Sequence, residues 1–157
     1  MEFKMATKYH RMMRSYEKLR RVSTNTGNSI SLTEGKDAAE EFFTECHHFK
    51  DWLIKELPNL KQSVENHVSR SAPLSLAADY CNTFKHAGLD RKPRSGQQLD
   101  QVLQHTRLDL TPQGFAASAQ VEIKTAGKSY PAFDLATDCI HDWDTFLRAN
   151  NVTIPLS

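Results

Sequence analysis

Four polar side chains in the middle of the chain have the types and spacing to share proton-transfer chemistry. In Asp79-Tyr80-Cys81-Asn82-Thr83-Phe84-Lys85-His86, the residues Asp79, Asn82 and His86 fall at i, i+3 and i+7, one stripe of a helix. A carboxylate near an imidazole fixes its tautomer and raises its pKa, as a general acid or base requires. Lys85, adjacent to His86, would hold a phosphate or carboxylate. The opposite side carries Leu74, Ala77, Cys81 and Phe84, a core-facing strip. A structural reading competes with the chemical one. In it Asp79 and Asn82 cap, bridge helices or accept from Lys85, and His86 closes the helix terminus as a partial cation.

A second set lies in Cys46-His47-His48-Phe49-Lys50-Asp51-Trp52, where His48 and Asp51 stand at i, i+3. They are supporting groups for His86 if their helix packs on the one bearing the stripe. His47 and His48 are adjacent and diverge by about 100° on a helix, without the i, i+4 pair of the familiar zinc helix, so neither a metal nor a cofactor is expected. Cys81 and His86, five residues apart, diverge by about 140°, which forbids a direct thiolate–imidazolium pair. No GxSxG, GxxxxGK[ST] or GxGxxG occurs, so nucleophile elbows and phosphate-cradling loops are absent as motifs.

Helices must position these groups. Tyr9, Met12, Met13, Tyr16 and Leu19 predict a first helix over Met5–Val22, ended by the turn-forming run Ser23–Ser29. Phe42, Cys46, Phe49 and Leu53 form the seam of a second helix, Lys36–Leu57, flanked by Phe43 and Ile54 on one side and Trp52 on the other. Pro58 stops it. A third, weaker helix spans Leu60–Ser71, and a fourth opens at Pro73, carries the polar stripe and stops near Gly88. Beyond a basic loop, Val102, Leu108 and Leu110 suggest a strand, and Ala119, Val121 and Ile123 alternate with polar residues in another. Thr125-Ala126-Gly127-Lys128 reads as a hairpin turn, and Pro131 ends or edges the return strand. Leu135, Cys139, Trp143, Phe146 and Leu147 mark a last helix over Asp134–Asn150, with Asp138, His141 and Asp142 on an exposed face. The expected fold is α+β and mainly α: an up-and-down helical bundle with a small antiparallel sheet before a C-terminal helix. Residues 1–157 form one domain, with a four-helix part (1–89) and a strand hairpin with closing helix (90–157).

The 157 residues, 39% hydrophobic and 25% charged, suit one soluble globular domain. A formal net charge of +1 commits the chain to neither nucleic acid nor membrane, yet the charge is unevenly spread. Residues 1–21 hold seven basic and two acidic side chains, a balance of +5; residues 36–56 hold three and six, a balance of −3. Two complementary helix faces, meeting within the fold or across a dimer, account for this. The basic first helix and the loop residues Arg91, Lys92 and Arg94 are the candidate nucleic-acid contacts, with Tyr9, Tyr16 and Tyr80 available to stack or to be buried. Cys46, Cys81 and Cys139 sit among apolar neighbours with no CxxC, as buried free thiols do in a reducing compartment. With no apolar run of membrane-spanning length and a charged start, a cytoplasmic protein is expected.

Cys81-Asn82-Thr83-Phe84-Lys85-His86 resembles the helix-end signature of the HEPN superfamily, helical and usually dimeric domains of many microbial RNA-cutting toxins and defence proteins. That signature is an arginine, a polar residue that is often asparagine, three variable residues and a histidine. Asn82 and His86 match its asparagine and histidine, whereas Cys81 stands at the arginine. The likeness covers six residues and a helical context of about half the chain; the hairpin and last helix lie outside it. It implies a homodimer, formed through the helices bearing the stripe, that acts on or binds RNA as a metal-independent endoribonuclease. His86 would be the acid/base or phosphate ligand, Asn82 would orient it, Lys85 would neutralise charge, and Asp79, His48 and Asp51 would support them. The lost arginine removes the planar bidentate phosphate contact that lysine cannot make. The competing expectation is therefore a non-catalytic interaction protein that dimerises or pairs with a defence or toxin–antitoxin partner.

Overall fold

The computed structural model describes residues 4–24, 33–85, 99–125 and 127–156. Helix α1 (Lys4–Thr24) is amphipathic and buries Met5, Met12 and Leu19, seven residues apart, along one side. It runs antiparallel to α2 (Glu34–Glu56), whose buried seam is Phe42, Cys46, Phe49 and Leu53 as the spacing predicts. Tyr9 packs edge-on against Phe49 and Tyr16 lies against Phe42. The two oppositely charged faces attract each other within the fold: Lys8 Nζ lies 3.3 Å from Glu45 Oε2 and Lys18 Nζ 2.8 Å from Glu41 Oε2.

A 3₁₀ turn at Pro58–Leu60 reverses the chain into α3 (Lys61–Arg70), held by buried Val64 and Val68. Ser71 then starts α4 (Ala72–Lys85): its Oγ accepts the Leu74 N–H at 3.1 Å and donates to Asp142 Oδ2 at 2.6 Å. Asp138 and His141 are exposed as expected, but Asp142 is half-buried because it receives this cap hydroxyl.

Strands β1 (Leu99–Thr111), β2 (Gly114–Thr125) and β3 (Lys128–Pro131) form an antiparallel sheet in the order β1-β2-β3. The β1–β2 hairpin is long, paired from Leu99 with Thr125 to Thr111 with Gly114. The β2–β3 hairpin closes where Thr125 meets Lys128. Gly114 (φ +120°) and Gly127 (φ +76°) take left-handed turn conformations open to glycine. Ala117, Ala119, Val121 and Ile123 of the central strand are buried beneath the helices. Helix α5 (Ala132–Ala149) closes the structure with Leu135, Cys139, Trp143, Phe146 and Leu147 inward. It is tied to α1 by Tyr9, whose hydroxyl donates to Asp144 Oδ1 at 2.8 Å. Burial first, and then that carboxylate, push the Tyr9 pKa up to about 12.

One apolar cluster runs from the helices into the sheet and α5, so the two expected parts share a core. The fold is α+β and mainly α, with five α-helices among the described residues and the small sheet before the last of them. Cys46, Cys81 and Cys139 are buried and none is in a disulfide among the described residues. The Cys139 thiol donates to the Pro73 carbonyl at 3.4 Å, and burial followed by neighbouring Cys46 raises its pKa well above that of a free thiol. Among the described residues no helix is long and apolar enough to cross a membrane.

Candidate nucleic-acid interface

Helix α4 runs antiparallel to α2. Pro73, at its start, is held by Cys139 beside Cys46, and Tyr80, near its end, packs on Phe43 with ring centroids 4.9 Å apart. Burial, followed by the carboxylates of Glu40 and Asp37, raises the Tyr80 pKa. The end of α4 therefore lies by the acidic first turns of α2. Asp79 is buried, 2% exposed, and Asn82 is half-buried. Lys85 is the last residue of α4, while His86, Arg91, Lys92 and Arg94 lie outside the described residues, as does the Lys85 side chain. From Leu74 to Cys81 every residue is buried within the chain, so this segment offers no face to a second copy.

His48 and Asp51 are not brought to that end. They lie five and eight residues beyond Phe43 on α2, roughly 7 and 12 Å along the axis and away from the end of α4. His48 is half-buried; Asp51 is exposed beside Lys50, 3.8 Å from its Nζ. Lys50 is itself buried and reaches Glu65 of α3 at 3.3 Å. The i, i+3 spacing places His48 and Asp51 on one side of α2, and the helix direction then separates both from Asn82.

A different cluster assembles between α1 and the last turns of α2. Lys4, Thr7, Lys8 and Arg11, at i, i+3, i+4 and i+7 on α1, line a cleft of about 190 Å³ against the half-buried Trp52. The ammonium groups of Lys4 and Lys8 each lie 5.9 Å from the indole centroid, and that of Lys55 lies at 5.3 Å. Among the described residues, two carboxylates of α2 bond to this stretch of α1. Glu45 binds Lys8 at 3.3 Å, and Glu56 Oε1 accepts the Met5 N–H at 2.5 Å. Lys4, Lys8, Arg11 and Lys55 thus outnumber Glu45 and Glu56 by two. Like charges gathered around one ring repel each other, and an anion placed among them relieves that repulsion. The cleft is smaller than the ~300–1,000 Å³ of whole-ligand pockets, so it suits one ring or phosphate of a longer molecule.

The α1 basic stripe is legible in the sequence, but Trp52 reads there as the flank of an apolar seam. Only the antiparallel crossing of α1 and α2 brings Lys4 beside it, 48 residues away. Tyr80 is buried and Tyr9 and Tyr16 are half-buried with their hydroxyls bonded to α5, which leaves them as packing groups. No family model, no curated protein and no solved structure matches this chain.

Proposed function

We propose that this protein binds single-stranded RNA in the cleft between α1 and α2. The observation that carries this reading is Trp52 ringed by the ammonium groups of Lys4, Lys8 and Lys55, with Arg11 in the same cleft wall. Binding of single strands combines a basic track for the backbone with an aromatic face on which a base stacks. A base stacks on the indole by displacing ammonium groups that lie over the ring, and flanking phosphates take those cations.

Anisotropy of a labelled, unstructured oligoribonucleotide measures this. Replacing Trp52 by Ala is expected to weaken binding by about 5- to 150-fold, the range for losing one stacked base. For roughly three phosphates engaged, log affinity is expected to fall with log salt at a slope of about −2. Equal binding by wild type and Trp52→Ala would refute the assignment.

Cleavage is a separate step, proposed on the HEPN resemblance alone: His86 as acid/base, with Asn82, Lys85 and Asp79 around it. The end of α4 lies by Glu40, roughly 18 Å along the α2 axis from Trp52, a span that a strand of several nucleotides covers. Incubation of total RNA with wild type and with His86→Ala separates binding from cutting. Fragments that disappear with His86→Ala support a ribonuclease, and RNA left intact by wild type removes that step while leaving binding in place.

A second reading, a non-catalytic interaction protein, is favoured by large apolar side chains exposed at the β1–β2 tip: Leu108, Leu110 and Phe115.

A further inference from the structure

The β1–β2 hairpin extends past the helices that cover its base. Cross-strand partners share a face, so Leu108 opposite Ala117 and Leu110 opposite Phe115 continue the face whose inner part, Ala119 to Ile123, is buried. On that face Ala117 is still buried, but Leu108 is 65% exposed, Leu110 80% and Phe115 64%. β2 occupies one edge of β1, and among the described residues no strand pairs with its outer edge. Exposed edges are usually blunted by lysine, proline or a bulge. From His105 to Thr111 there is no lysine and no proline, and the one register irregularity lies back at Leu99/Gln101.

On the other face of the same stretch Arg107 and Asp109 flank Leu108, with Arg107 Nε 3.0 Å from Asp109 Oδ1 and side chains 65% and 47% exposed. This +/− pair is centred on Leu108 and reads as its own complement when the strand is reversed. In an antiparallel pairing of two β1 edges with Leu108 on the two-fold axis, Arg107 faces the partner's Asp109. Asp109 in turn faces the partner's Arg107. On the apolar face the same register sets Leu108 against the partner's Leu108 and Leu110 against the partner's Thr106. Every other antiparallel register loses this double match.

We infer that two copies of this chain pair through the outer edges of β1, register-locked by Arg107 and Asp109, and join two three-stranded sheets into one of six. The contact is isologous and closed, so it yields a dimer and leaves no β1 edge to propagate. It goes beyond the RNA-binding reading and stands without it, since the cleft at Trp52 lies on other elements.

Sedimentation velocity across a dilution series tests it with wild type, Arg107→Asp, Asp109→Arg and an equimolar mixture of the two variants. Arg107 is exposed and the Asp109 side chain is 47% exposed, so folding is expected to be unchanged by circular dichroism. Wild type is expected to dimerise. Each variant alone sets like charges opposite each other twice and is expected to dimerise about tenfold more weakly. Mixing them restores both opposite-charge pairs and is expected to recover a mixed dimer near wild-type affinity. A wild type that stays monomeric throughout would overturn the inference. So would variants that assemble as wild type does, or a mixture no tighter than its components.

Discussion

Replacing Gly35 by Val is expected to cost about 3 kcal/mol or more of folding stability, the upper part of the range for overpacking a close contact. A Cβ at this position would lie 2.7 Å from Ala119 Cβ, 2.8 Å from Val121 Cγ2 and 2.9 Å from Gln104 Oε1. Ala119 and Val121 are buried in the central strand and paired there with Thr106 and Gln104 of β1, which holds them in place. The neighbouring Lys36 N–H donates to Gln104 Oε1 at 3.0 Å, a bond that tethers the start of α2 to β1. Displacing Gln104 to admit a side chain would break it. Even Gly35→Ala is expected to destabilise, although helix propensity alone favours Ala over Gly by about 1 kcal/mol. Urea unfolding decides between the two effects: a more stable Gly35→Ala would mean that α2 does not approach the sheet this closely.

Trp143→Ala is expected to cost about 3–5 kcal/mol, whereas Trp143→Phe is expected to cost less than about 1.5 kcal/mol. The indole is 1% exposed and stands edge-on to Phe49, with centroids 5.1 Å apart and planes at 90°. It also meets His67 and Phe146, at centroid distances of 5.9 and 6.2 Å. Truncation to Ala leaves a void where α2, α3 and α5 converge. Among the described residues the buried indole Nε1 has no hydrogen-bond partner. A buried, unpaired donor costs about 1–3 kcal/mol, and Phe removes that donor while keeping a ring in place. The loss of volume and the loss of an unmet N–H then oppose each other. Equal destabilisation by Ala and Phe in urea melts would contradict this balance.

The helices were legible because their apolar residues recur at a helical period and their ends carry turn chemistry. Phe42, Cys46, Phe49 and Leu53 face inward as that period requires, and Pro58 ends α2 where a proline must. What depends on two elements meeting was not legible. Nothing local to Gly35 announces that β2 passes within contact of it. Leu108 and Leu110 read correctly as strand residues, but alternation cannot tell that the helical layer covers β2 and stops short of the β1 tip. Asp142 reads as solvent-facing on its own helix and is half-buried only because Ser71 reaches it from α4. The candidate site divides in the same way. The α4 stripe is a local pattern that a sequence displays, and its Asp79 is buried as part of the packing. The cleft at Trp52 needs side chains from two crossing helices, so no single stretch reveals it.

Trp143→Phe also leaves Trp52 as the sole tryptophan of the chain, and its emission then reports on the cleft alone. Titrating that variant with an unstructured oligoribonucleotide at low salt is the most direct measurement of RNA binding at this site. A base stacked on the indole predicts saturable quenching of Trp52 that reverses as salt is added. Unchanged Trp52 emission, at oligonucleotide concentrations where anisotropy reports the RNA bound or where no binding occurs at all, would contradict it.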